Sequence, residues 1–92
     1  MTGTIIKFVR KSENGYEDVN GMEILCKEDD ILAFLNREFA ETGNNDAIDF
    51  YDAFFGSKVT WEFDSKENAY FSKYEDGTIT GKAYKVIGIK EL

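Results

Sequence analysis

Asp46, Asp49 and Asp52 stand three residues apart, a spacing that lines carboxylates along one side of a helix. From the first to the third the helix axis rises about 9 Å, at roughly 1.5 Å per residue. One carboxylate per about 4.5 Å comes near the roughly 3.4 Å between charges on one strand of DNA. Such an array on a folded scaffold can enter a groove that takes phosphates. It also destabilises its own helix. Like charges at this spacing repel by roughly 0.2–0.5 kcal/mol per pair. The residues four beyond each aspartate are Phe50, Ala53 and Gly56, so no lysine compensates. Asp52 lies toward the negative end of such a helix, which is unfavourable by roughly 0.3–1 kcal/mol. Selection for stability alone would place lysines here. The plainer alternative is a solvated face that confers solubility.

Other chemistries find less support. The chain has no histidine, which removes the commonest general base and metal ligand and with it any Ser-His-Asp or Cys-His arrangement within one chain. Carboxylate pairs can do acid–base work, but eighteen acids form many pairs by chance. The expectation is a non-enzymatic protein with no catalytic residues. Only oxygen ligands are on offer for a metal. The stretch from Asp64 to Glu75 begins and ends like a calcium loop, yet Lys66 sits at a ligand position and Ala69 replaces the required glycine. A hairpin is the better reading, and no metal or cofactor is expected. Cys26, the only cysteine, lies in an apolar run and reads as a small buried hydrophobe. One cysteine makes no internal disulfide, so no oxidising compartment is implied.

Charge is distributed unevenly. Residues 12–57 hold twelve acids against Lys27 and Arg37, whereas residues 1–11 carry Lys7, Arg10 and Lys11 and no acid. Six acids balance six lysines from residue 58 onward. The formal −7 is therefore a strongly acidic middle between basic and neutral ends. That field attracts cationic partners and repels nucleic acid and anionic membrane. Lysines interleave with aromatics at Tyr70, Phe71, Lys73, Tyr74, Lys82, Tyr84 and Lys85, but the acids cancel the cationic field that nucleic-acid binding requires. No apolar stretch reaches membrane-spanning length, and no signal segment or myristoylation site is read at the start. A soluble cytoplasmic protein is expected.

The positioning elements follow from periodicity. Residues 3–10 and 16–26 read as strands about an Asn14-Gly15 turn, with Asn20-Gly21 as a bulge or second turn. Glu28-Asp29-Asp30 opens a helix over roughly 29–41, whose stripe is Ile31, Leu32, Leu35 and Phe39. A second helix is expected over 46–55, with aromatic residues on one arc and the three aspartates on the other. Alternation from Lys58 to Asp64, a run over 69–75, an Asp76-Gly77 turn and a long final segment over 78–90 give three more strands. The expected fold is α+β: one domain over 1–92 in the order ββααβββ, with an antiparallel sheet of about five strands and a helical pair on one face.

In size, acidity, lack of histidine chemistry and compact organisation the chain resembles small phage or mobile-element proteins that imitate nucleic acid. The resemblance implies inhibition of a host defence or nucleic-acid enzyme, as in anti-CRISPR or anti-restriction proteins. On this reading Asp46, Asp49 and Asp52 are phosphate surrogates. Glu28, Asp29, Asp30, Glu38 and Glu41 support them, and Tyr51 serves as an aromatic anchor. The partner is a basic, nucleic-acid-binding host or defence protein, bound by a monomer or small homo-oligomer without direct contact to nucleic acid or membrane. The alternative is an accessory interaction or oligomerisation domain that pairs through strand 78–90 and whose acidic face only solubilises.

Overall fold

The computed structural model describes residues 1–41 and 57–92. Two long strands, β1 (Thr2–Ser12) and β2 (Gly15–Cys26), form the first hairpin. Gly15 takes φ 129° just past its turn, a value that glycine reaches without strain. One helix, α1 (Ile31–Glu38), follows. Strands β3 (Val59–Asp64), β4 (Ala69–Tyr74) and β5 (Ile79–Glu91) complete the described fold. All pairings are antiparallel, and the sheet order is β2-β1-β5-β4-β3. Gly77 at φ 90° turns the β4–β5 hairpin, where Gly77 N–H donates to the Tyr74 carbonyl at 3.0 Å. Asn20 at φ 56° coincides with the register shift between Lys7 and Val9, so the Asn20-Gly21 step is a bulge within β2.

The helix is held at both ends by identifiable groups. Asp30 is its N-cap, and its Oδ1 accepts from Ala33 N–H at 3.0 Å. Phe39 leaves helical geometry at φ −126° and ψ 45°, which turns its ring into the core. There it meets Tyr84 at 5.3 Å and Trp61 at 6.4 Å between ring centroids. The carbonyl that Phe39 frees at the helix end accepts from Trp61 Nε1–H at 2.8 Å. Ile6, Phe8, Leu35, Phe39, Trp61 and Tyr84 form one buried cluster between helix and sheet.

These observations correct the expected fold. Among the described residues the order is ββαβββ, an antiparallel sheet with one eight-residue helix, and not a helical pair on a sheet. The second helix expected over 46–55 lies outside the described residues. The first helix is shorter than 29–41, because Asp30 caps it and Phe39 is drawn into the core. The sheet dominates because both of its faces bury apolar residues. Val9, Ala69 and Ala83 are buried on the face away from α1, among lysines whose stems can cover apolar surface.

The indole contact has a measurable consequence. Trp61→Phe keeps a ring in the core but leaves the buried Phe39 carbonyl without its donor, at a cost of about 1–3 kcal/mol. Urea unfolding of the two proteins should show that loss of stability as a lower midpoint with an unchanged slope.

Candidate functional site

The acids around α1 do not form a uniform carboxylate surface. Arg37 draws two of them together: its guanidinium donates to both oxygens of Glu28 and, at 3.3 Å, to Glu38. These hydrogen bonds hold the Glu28 carboxyl below its ordinary range and the guanidinium above its own. Asp30 is committed to the helix cap. Glu41 is exposed and makes a backbone bridge with Lys58. Asp29 is exposed and has no ion pair among the described residues. Of the five described acids expected to support the phosphate surrogates, then, two are neutralised by one arginine and one is structural. Asp46, Asp49, Asp52 and Tyr51 lie outside the described residues.

A different set of carboxylates is brought together by β2. Glu17, Asp18 and Glu23 are exposed on this outer strand, and Glu28 and Asp29 follow on the chain beyond the exposed Lys27. Asp18 pairs with Lys7 at 3.3 Å, while Glu17 and Glu23 carry no ion pair among the described residues. Between Ser12 and Cys26 there is no cation. Sequence reading gave this strand no role, because nothing in its own residues says which strand lies at a sheet edge.

The face away from α1 holds a contact between the two outermost strands. Tyr16 of β2 donates its hydroxyl to Asp64 Oδ2 of β3 at 2.9 Å, although three strands separate them in the sheet. The sheet must coil strongly for these strands to meet. Lys11 Nζ lies 4.7 Å from the centroid of the Tyr16 ring and 5.3 Å from that of Phe71. Burial, followed by donation to Asp64 and the negative charges of Asp64 and Glu67, pushes the Tyr16 phenol well above its ordinary 10.0. The same hydrogen bond, helped by the Lys66 and Glu67 N–H groups and the charge of Lys11, holds Asp64 below its ordinary range.

The lysines of this face are largely answered by acids. Lys73 reaches Glu62 at 2.6 Å, Lys85 reaches Glu67 at 3.9 Å, and Lys7 reaches Asp18. A cavity of about 380 Å³ opens beside them, with Lys7, Tyr16, Asp18, Glu23 and Lys85 in its lining. It mixes both signs of charge and so selects neither an anion nor a cation. The Asp64–Glu75 stretch is a turn and a strand: Asp64 Oδ1 accepts from Lys66 N–H at 3.1 Å, and Asn68 takes φ 50°. Among the described residues no group of three carboxylate or cysteine ligands is placed to hold a metal ion. Cys26 is fully buried, with Sγ 3.6 Å from the Glu28 carbonyl oxygen.

The final strand also differs from its expected place. β5 pairs with β4 over Ile79–Lys85 and with β1 over Lys82–Glu91, so its first half is central in the sheet, while beyond Val86 no strand pairs with its β4 side among the described residues. No helix among the described residues is long and apolar enough to cross a membrane. Compared with known proteins, the chain matches no family model, no curated protein and no solved structure.

The Tyr16–Asp64 contact gives a pH dependence with a definite sign. A raised phenol pKa contributes stability that is full below about pH 10 and is lost as pH rises further. A depressed Asp64 pKa contributes stability that is full above about pH 4 and is lost as pH falls. The stability difference between the wild type and Tyr16→Phe should therefore be flat from about pH 5 to 9 and shrink on both sides. Urea titrations across this range measure it.

Proposed function

We propose that this chain is a non-enzymatic binding domain that presents carboxylates to a basic surface of a partner protein and occludes it. A surface that handles nucleic acid is the natural target, because it is cationic and spaced for phosphates. An inhibitor of a nucleic-acid-binding host or defence protein is the concrete form of this reading. The observation that carries it is the segregation of charge: twelve acids against two cations over residues 12–57, in a chain whose remainder is neutral or basic. Glu17, Glu23 and Asp29, exposed and without an ion pair among the described residues, extend that field onto the outer strand and the turn that follows it. Charge of this kind accelerates encounter more than it holds a complex, so apolar anchors beside it supply affinity.

The test is capture of partners on the tagged protein from a bacterial lysate, repeated with excess heparin. The reading expects a basic nucleic-acid-handling protein that heparin displaces and whose binding to nucleic acid the pure domain inhibits. The triple reversal Asp46→Lys, Asp49→Lys and Asp52→Lys should abolish that capture without loss of fold by circular dichroism. A partner that ignores heparin contradicts the reading. A triple reversal that binds as before removes those aspartates from the surface.

A further inference from the structure

The two edges of the sheet are finished differently. On β3 the outward backbone is occupied by the chain itself. Val59 N–H donates to the Ala40 carbonyl at 2.9 Å, and Trp61 N–H donates to Asn36 Oδ1 at 2.9 Å. The bridge between Glu41 and Lys58 continues this cover. On β2 the inner side pairs with β1 and, among the described residues, no strand pairs with the outer side. In an antiparallel strand every second residue turns its N–H and C=O away from its neighbour, so β2 offers donors and acceptors outward.

The bulge divides this edge into two legs. The first carries Tyr16, whose side-chain hydroxyl is committed to Asp64 of the opposite outer strand. The second, Met22–Cys26, runs in continuous register with β1 from Glu23 opposite Lys7 to Cys26 opposite Thr4. Its two faces differ in chemistry. Met22 is 60% exposed and alternates with Ile24 on the side of α1. Glu23 lies on the other side, exposed and without an ion pair among the described residues. Natural edges are commonly protected by lysine, and this one carries acid instead. Two such edges repel each other, while a strand with cations opposite Glu23 is favoured.

From these observations we infer that the Met22–Cys26 edge of β2 accepts an extended segment of a partner protein as a sixth strand. That segment carries Lys or Arg at alternate positions beside Glu23, and apolar residues between them beside Met22 and Ile24. Backbone hydrogen bonds fix the segment, and alternating side chains select it. The inference rests on the acidic-binding reading and adds to it the docking edge and the strand chemistry of the partner.

The test uses the whole protein and three capped synthetic probes: a peptide alternating lysine and valine, the same peptide N-methylated at alternate backbone amides, and oligolysine. Isothermal titration measures affinity, and amide hydrogen exchange by NMR locates the contact. The inference expects the alternating peptide to bind about tenfold or more tighter than its N-methylated form, a difference of about 1.4 kcal/mol. It also expects slowed exchange at outward amides within residues 22–26. Glu23→Lys should lower affinity for the alternating peptide by a similar factor. Equal binding of the peptide and its N-methylated form, or binding with no protection at 22–26, overturns edge docking while leaving charge-driven binding in place. Failure of both the alternating peptide and oligolysine to bind overturns edge docking and the acidic-binding reading together.

Discussion

The described fold depends on the junction between Trp61 and the end of α1. A helix of eight residues has too little length to be stable on its own in water. It persists because the core takes Leu35 and Phe39 and because β3 completes its terminus. Trp61 contributes from two atoms: the indole N–H satisfies the Phe39 carbonyl, and the backbone N–H finds the Asn36 side chain. Tyr84 then ties this pair to the middle of the sheet, with ring centroids 5.6 Å from both Trp61 and Phe8. Sequence, helix end, edge strand and core meet at this junction. A change there alters all four.

One result of this arrangement is an asymmetric sheet. The residues that finish the helix also cover the outward amides of β3, so that edge is closed by the chain's own backbone and side chains. The opposite edge receives no such cover among the described residues, and it bears the acids. The central strand β5 is long, and its Thr-rich start looks like an edge in sequence, yet it lies between β1 and β4. Coiling of the sheet, recorded by the Tyr16–Asp64 contact, ties the first leg of β2 to β3 through a side chain, and the second leg has no strand on its outer side among the described residues.

Much of the local structure was legible in the sequence. Asn14-Gly15 and Asp76-Gly77 lie at two of the three hairpin turns, where each glycine takes a positive φ, and the alternation of Val59 and Trp61 with Thr60 and Glu62 marked β3. The stripe of Ile31, Leu32, Leu35 and Phe39 marked the helix. Its limits were not legible, because Asp29 and Asp30 suit either the first turn or the cap, and Phe39 obeys the core and not the helical period. Long-range facts were not legible at all. Nothing near Tyr16 points to Asp64, forty-eight residues away. Arg37 is the only cation within the helix, but its capture of Glu28 and Glu38 depends on side-chain geometry. That capture reduces the carboxylate surface expected around α1, while the three aspartates that suggested it lie outside the described residues.

The account turns on one edge being closed and the other open. Amide hydrogen exchange of the free protein measures this directly. The account predicts slow exchange at Val59 and Trp61, whose N–H groups have acceptors in Ala40 and Asn36. It predicts fast exchange at alternate amides of residues 22–26, whose outward groups have no strand partner among the described residues. Exchange at Val59 and Trp61 as fast as at an open edge, or uniform protection through 22–26, would contradict it.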